Sequence, residues 1–450
     1  MAVEPRRPTV IREHRHAEWL AVVAVCVGAF MGQLDASIVT VALPHIRDDL
    51  HVSLGAVEWV SLSYLLVLVG TISAVGRLAD MLGRKLLYVY GFAVFTLASL
   101  GCGVAPTLAV LLILRVVQGV GAALLQANSV ALIRTTVRRD SLGHAIGLQG
   151  AAQAIGLAIG PVVGGLLVGA GGWRWVFYVN VPVGVVGVAL GVLLLPRTRV
   201  RAPLTRFDTW GFGTLLPAVC ALLLALSVLG RDGASAVVVT LAVVSAGLWV
   251  AFVVAERRSA APLVDLRLLR SRAVATGLSS GLLVYLVLFG VLFLIPVYLQ
   301  ARYHESPGMA GLTLAALPLA LGLAAPVGSR LGPVATVVAC PALAAVACAI
   351  MAVRPDERAV TVGMLALAGV GLGLFTPANN ATVAGAGAAE NAGMVSGVLN
   401  MTRGIGTSLG VAVAGATYEL GSVTITLGVL AGLAGLAALI STASVRPSPS

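Results

Sequence analysis

The sequence predicts an all-α membrane protein with fourteen crossings: two pseudo-symmetric six-helix bundles and two helices inserted between them. Three observations lead there. Of 450 residues, 59% are apolar and 10% charged, and the mean hydropathy is +1.00. A water-soluble domain carries about 25% charged residues, so a cytosolic enzyme is excluded. Apolar runs of about 20 residues, the length that spans the hydrocarbon core, recur from end to end. A glycine pattern repeats at an offset of 250 positions.

The runs are Trp19–Leu43, Leu54–Val75, Leu86–Val104, Leu108–Ile133, Leu142–Ala170 and Trp175–Leu195. Trp210–Leu229 and Ala234–Val254 follow. The last six are Ala273–Leu299, Met309–Leu331, Val334–Val353, Ala359–Pro377, Ala392–Tyr418 and Val423–Ile440. They are continuously apolar rather than alternating, which excludes a closed β-barrel. Little polar sequence separates the tenth and eleventh, around Arg330–Pro333. The resulting division is a tail (1–18), a six-helix bundle (19–196) and two inserted helices (197–255). An amphipathic linker (256–272), a second bundle (273–441) and a tail (442–450) complete it.

Orientation follows from Lys and Arg, which gather in cytoplasmic loops. With the N-terminus inside, 21 of the 29 basic residues fall on the cytoplasmic side and six outside, and Arg115 and Arg403 lie within helices. Both termini are therefore expected in the cytoplasm of a cell membrane. The same asymmetry accounts for the net charge of +11 without a nucleic-acid partner. No removable signal peptide is expected, because the first apolar run is too long.

The repeat compares Gly143–Gly165 with Gly393–Gly415. Gly143, Gly147, Ile155, Gly156, Gly160 and Gly165 meet Gly393, Gly397, Ile405, Gly406, Gly410 and Gly415; Gly119 and Gly121 meet Gly369 and Gly371. An even number of crossings separates the members of each pair, so they run in the same direction. That is a parallel repeat, as in transporters built of two six-helix halves. Helices 1–6 and 9–14 are the expected halves.

Ionisable groups deep in lipid are costly, about 2.5–3.5 kcal/mol each on the insertion scale, and mark function or pairing. Asp35 lies in helix 1, Arg115 in helix 4 and Arg403 in helix 13. Asp35 sits about 12 Å before the end of helix 1, and Arg115 about 10 Å after the start of helix 4, at 1.5 Å per residue. The two share a depth and are expected to face each other or one water-filled cavity. Two readings fit: a protonatable carboxylate tuned by a cation, or a fixed ion pair that locks two helices. For Arg403, an anion, backbone carbonyls or plain packing fit equally.

Polar uncharged residues mark a candidate substrate cavity. On helix 4, Arg115, Gln118, Gln126 and Ser129 share a face. Gln149 and Gln153 are one turn apart on helix 5, and Gln33, Tyr64, Asn180, Tyr285, Asn400 and Arg403 add to the set. Interhelix hydrogen bonds are the alternative for each. Gly156, Gly160 and Gly164 make a small-residue face for close packing, and Pro161 removes a backbone donor and favours a bend. The five cysteines lie in apolar runs without CxxC spacing, and the six histidines sit at loops and ends. No metal is expected, and no GxxxxGK[ST] loop offers a nucleotide site. No cofactor is expected.

Several motifs resemble a known family, the fourteen-helix drug:proton antiporters of the major facilitator superfamily. Leu34–Pro44 (LDASIVTVALP) resembles the helix 1 signature, with Thr40 where Asn is usual. Gly76–Lys85 (GRLADMLGRK) resembles the loop signature between helices 2 and 3, with Met81 at a usually basic place. Leu114–Ala123 is similar to the helix 4 signature, and Gly156–Gly165 (GLAIGPVVGG) matches the helix 5 antiporter pattern. Trp173–Pro182 is typical of the fourteen-helix branch. So is Tyr298–Gln300 followed by Ser306-Pro307 and Ala310-Gly311, with His304 in place of a usual Gly.

The resemblance implies proton-driven export of a small amphipathic drug or antibiotic by alternating access. Asp35 would couple protons with the help of Arg115. Asp80 and Arg84, in a conformational motif with Gly76 and Gly83, would belong to a cytoplasmic latch that stabilises the outward-open state, and Gly160 and Pro161, in a motif with Gly156 and Gly164, would bend helix 5 and keep the pathway from leaking. Protons, the substrate and the lipid bilayer are then the partners of a protein that functions as a monomer. Some multidrug members carry acids in helix 2 and late in helix 13; here helix 2 offers Ser61 and Tyr64, and Glu419 ends helix 13. Few buried acids favour a neutral, anionic or singly charged substrate. An importer or facilitator of a metabolite on the same fold is the competing reading. A membrane-embedded enzyme would need convergent acid, base or metal groups that the short outer loops do not supply.

Overall fold

Fourteen long helices run through the described residues of the computed structural model, which are 7–138, 141–198, 209–259, 264, 266–328, 333–385 and 392–442. They are α1 (Ala17–Leu50), α2 (Trp59–Leu82), α3 (Arg84–Val104), α4 (Leu108–Thr136), α5 (Leu142–Gly171) and α6 (Asn180–Leu194). α7 (Thr209–Asp232) and α8 (Ala236–Arg258) follow, then α9 (Arg272–Tyr303), α10 (Pro307–Gly328), α11 (Pro333–Val353), α12 (Arg358–Gly385), α13 (Ala392–Leu420) and α14 (Val423–Thr442). Twelve helices are, over their described residues, long and apolar enough to cross a membrane, and Val337–Val353 is a shorter apolar helix. α13, which carries Asn400, Thr402, Arg403, Thr407 and Ser408, is not among those twelve.

Successive helices alternate in direction. Lys85, at the start of α3, reaches the end of α6. Gln300, late in α9, donates to the carbonyl of Val41, late in α1, at 3.2 Å. The end of the bundle where α1 begins is called proximal below, and the end where α1 finishes distal. α9 is the most enclosed spanning helix and α8 the least. α8 packs on α7 at the periphery.

The glycine repeat has a direct structural meaning. A methyl group at Gly156 would strike the α1 backbone at Phe30, and one at Gly406 the α9 backbone at Leu282. Gly119 and Gly369 press on α2 at Tyr64 and α10 at Leu317. Gly121 and Gly371 press on α3 at Phe95 and α11 at Cys340. Each repeat pair meets helices eight apart in the chain, which is the pseudo-two-fold relation of two like bundles. Gly165 and Gly415 cross between them: one meets Pro307 of α10, the other Glu58 ahead of α2.

Some boundaries differ from the sequence expectation. α1 does not stop at Leu43 but runs to Leu50 with Pro44 inside it. Proline removes one helical donor, yet Pro44 and Ile46 are buried, and packing this extra turn outweighs the lost bond. The sixth run is broken into a short turn, Trp175–Tyr178, and α6. The second is likewise entered by a short turn, Leu54–Val57, capped by Ser53, whose hydroxyl accepts from Ala56 N at 3.2 Å. α8 continues to Arg258, and Glu256 is buried there, accepting from Val264 N at 2.9 Å, rather than opening an exposed linker. α5 is unbroken through Pro161.

α1 and α9 also end alike. His51 and His304 follow them with φ 53° and 52°, the positive-φ non-glycine residues among those described. This left-handed cap suits glycine, which is why His304 stands out where glycine is usual.

Candidate functional site

Asp35 lies midway along α1 and is completely buried. It forms an ion pair with Arg115 of α4 at 2.7 Å, the guanidinium being 1% exposed. The equal depths read from the sequence are thus two facing side chains. Two further donors reach the carboxylate: Gln118 Nε2 at 2.9 Å and Asn180 Nδ2 at 2.8 Å. An ionised carboxylate only accepts, and three donors satisfy it in a low-dielectric interior where each bond strengthens.

Arg115 is held as firmly. Its Nε donates to the carbonyl of Val60 at 2.8 Å, and Nη1 also reaches Gln118 Oε1 at 2.6 Å. The Tyr64 ring lies 4.3 Å and the Phe177 ring 5.7 Å from the guanidinium carbon, within cation–π range. Gln118 Nε2 also donates to Ser99 Oγ at 2.8 Å. Side chains from α4 and α6 reach the α1 carboxylate directly, and Ser99 of α3 and the backbone and ring of α2 hold Gln118 and Arg115 in place around it. α4 achieves this by turning Arg115 and Gln118 inward while exposing Ile113 and Val117 outward, the inversion expected in lipid.

The structure therefore separates the polar set read from the sequence. Gln118, Tyr64 and Asn180 serve the ion pair rather than a cavity wall. Gln33, Gln126, Ser129 and Gln153 do line one cleft, with Gly28 and Gly32, but it holds only about 10 Å³, barely room for one water. Gln149 is buried one turn before Gln153. Arg403 donates to Asn380 Oδ1 and stacks 5.2 Å over the Tyr285 ring. This cluster is partly buried, and Asn400 lies half-buried on α13 near it.

On α5, Gly156, Gly160 and Gly164 all face α1: side chains there would meet Phe30, Ser37 and Ile38. Pro161 carries the contact onward, its carbonyl lying under Gly311 of α10. In the loop motif, Gly83 has φ 119° and joins α2 to α3, a conformation that excludes side chains. Arg84 N donates to Thr198 Oγ1 at 2.9 Å. A side chain at Gly76 would come within 3.9 Å of Ala127. The side chain of Asp80 lies outside the described residues.

Some functional geometry had no clear signal in the sequence. Lys85, the lone lysine of the chain, is fully buried and donates to the carbonyls of Val192 and Leu195, both at 2.7 Å. A cation there satisfies carbonyls left over at the end of α6 and complements its dipole. A cavity of about 1400 Å³ opens at the proximal end, away from Asp35. Arg7, Arg12, Arg15, Arg84, Arg138 and Arg197 line it.

Comparison with known proteins agrees with this architecture. The family model of the Major Facilitator Superfamily matches residues 25–411 and 277–450. The chain is 35% identical over 408 residues to the multidrug resistance protein Stp of Mycobacterium tuberculosis, covering 88% of this chain and 75% of that protein. It is 32% identical over 409 residues to the tetracenomycin C resistance and export protein of Streptomyces glaucescens, covering 89% and 76%. It is 29% identical over 401 residues to the riboflavin transporter RibZ of Clostridioides difficile, covering 88% and 87%. The fold, the run of apolar helices and these relatives give one conclusion: the chain belongs to the Major Facilitator Superfamily and is a multi-pass membrane transporter, not an enzyme.

Proposed function

We propose that this transporter exports a small amphipathic drug or antibiotic in exchange for protons, by alternating access, as a monomer in the cell membrane with both termini cytoplasmic. The observation that carries the reading is the buried Asp35–Arg115 pair with its ring of donors. The donors come from α4 and α6, whereas the carboxylate rides on α1. A shift of α1 against them removes donors and counter-charge together, and a buried carboxylate stripped of both takes up a proton. Moving back restores the donors and expels it. The relatives named for drug resistance and for tetracenomycin C export support the cargo class. The loop residues Gly76, Asp80, Gly83 and Arg84 serve as the latch, and the α5 glycines as the tight seam on α1.

One elementary charge crossing 100 mV supplies about 2.3 kcal/mol. At about 1.4 kcal/mol per tenfold, one proton sustains a gradient of roughly 40-fold for a neutral cargo. The test is efflux from a pump-deficient strain over a panel of toxic compounds, followed by proton flux in vesicles. Asp35→Asn should retain expression and lose proton-coupled efflux; unchanged coupled efflux rejects the role of Asp35. A second reading, movement of a metabolite, draws on the riboflavin transporter among the relatives. The direction of substrate-evoked proton flux separates the two.

A further inference from the structure

We propose that Glu58 is a second proton-binding site, seated in the distal seam between α2 and α13, and that its neutral form keeps this seam shut. Glu58 joins the turn Leu54–Val57 to α2 and is 1% exposed. Neither of its carboxyl oxygens has a hydrogen-bond partner. The carboxyl occupies the place a side chain would take at Gly415 of α13. One turn further along α13, Glu419 accepts from Gly55 N at 3.0 Å. α7 covers the same seam: Trp59 Nε1 donates to Ser227 Oγ at 3.4 Å, and Ser227 Oγ donates to the carbonyl of Gly55 at 3.2 Å.

The charged groups around this seam do not neutralise Glu58. From α13 comes Glu419, a like charge. From the end of α7 come Arg231 and Asp232, which act on Glu419 and pair with each other at 2.8 Å. From α1, Arg47 is paired with Asp48 at 2.8 Å, and its field falls on Tyr418. His45, also on α1, faces Asp48 and Gln300.

A carboxyl with no donor, no counter-ion and an acidic neighbour is stable in such a place only as the neutral acid. Opening the distal end hydrates both glutamates. Glu58 then releases its proton to the distal solution, and the two carboxylates repel across the parted seam. Closing requires the proton back. The glycine at position 415 is what makes room for the carboxyl, so α13 is built around it. The inference rests on the alternating access of the proposed function but not on Asp35.

The test measures the distal distance by pulsed EPR on the full-length protein in lipid nanodiscs. Spin labels are placed at Ser53→Cys and Leu420→Cys, with native cysteines replaced, and distances are read between about pH 5 and pH 9. In the parent protein the short distance should dominate at low pH and a longer one should grow as pH rises. Glu58→Gln should hold the short distance throughout, and Asp35→Asn should keep the pH response. Glu419→Gln removes the like charge and should move the midpoint to lower pH. A parental response in Glu58→Gln, or a response lost in Asp35→Asn and retained in Glu58→Gln, overturns the proposal. Should Glu58→Gln not fold, a parental midpoint in Glu419→Gln overturns it. Failure of proton-coupled export with an intact distance response would sink the transport reading alone.

Discussion

Asn180 donates to Asp35 Oδ1 at 2.8 Å, tying the first residue of α6 to the middle of α1. Both side chains are completely buried. Replacing Asn180 with Ala leaves the carboxylate one donor short at about 1–3 kcal/mol. Thermal unfolding in detergent should register that loss. Coupled efflux should fall about tenfold or more, whereas Asn180→Asp, which sets two acids together, should be worse.

Arg115→Lys should be far from conservative. The guanidinium serves Asp35, Val60 and Gln118 at once and stacks on Tyr64. A lysine cannot reproduce that planar fork. Arg115→Ala leaves a lone buried charge, at about 3–5 kcal/mol. Asp35→Asn in the same chain should recover part of the stability, though not coupled transport. Absence of such recovery in melting measurements would contradict the pairing.

Gly160→Ala and Gly150→Ala should part company. A methyl group at Gly160 meets Ser37 Oγ and Ile38 N of α1, whereas at Gly150 nothing lies within 4 Å. The first overpacks the α1–α5 seam and should cost about 1–3 kcal/mol, with slower efflux. The second should leave melting temperature and transport near parental values.

His304→Gly should stabilise. Its φ of 52° is left-handed, about 1–2 kcal/mol unfavourable for an L-residue. The side chain is exposed, so little contact is lost. A melting temperature raised by the change is the expected outcome; a lowered one would mean the imidazole has a role of its own.

Asp356, in the loop before α12, is held below the usual carboxylate range by hydrogen bonds from Tyr303 and Tyr298. A lowered value means stability that is present above the ordinary carboxylate value and lost as pH falls through the folded one. Tyr303→Phe should therefore be less stable than the parent at neutral pH, and its acid titration of stability should be shallower below about pH 4, so that the gap closes as the carboxylate protonates.

The run of long apolar helices was legible because lipid sets a length and strips charge from anything that spans it. The pairing of Asp35 with Arg115 was legible as depth, since rise per residue converts position into height. Azimuth was not. Gln118 and Gln126 share a helical face in the sequence, yet one grips Asp35 and the other lines a narrow cleft. Which neighbour occupies that face depends on packing from α1, α3 and α5, which no single helix encodes. Glu58 is illegible in the sequence for the same reason. Its unpartnered burial is created by Gly415, more than three hundred positions away.

The duplicated scaffold is chemically lopsided. Gly156 lies under Phe30 and Gly406 under Leu282, so the counterpart of Asp35 on α9 is Val287, and the 250-residue offset brings Arg115 and Gln118 to Leu365 and Ala368. All three are buried and apolar. One half carries an ion pair at its heart, and the other is oily at the equivalent places. The two moieties are thus not interchangeable: a tandem of the second alone would have no ion pair at its centre.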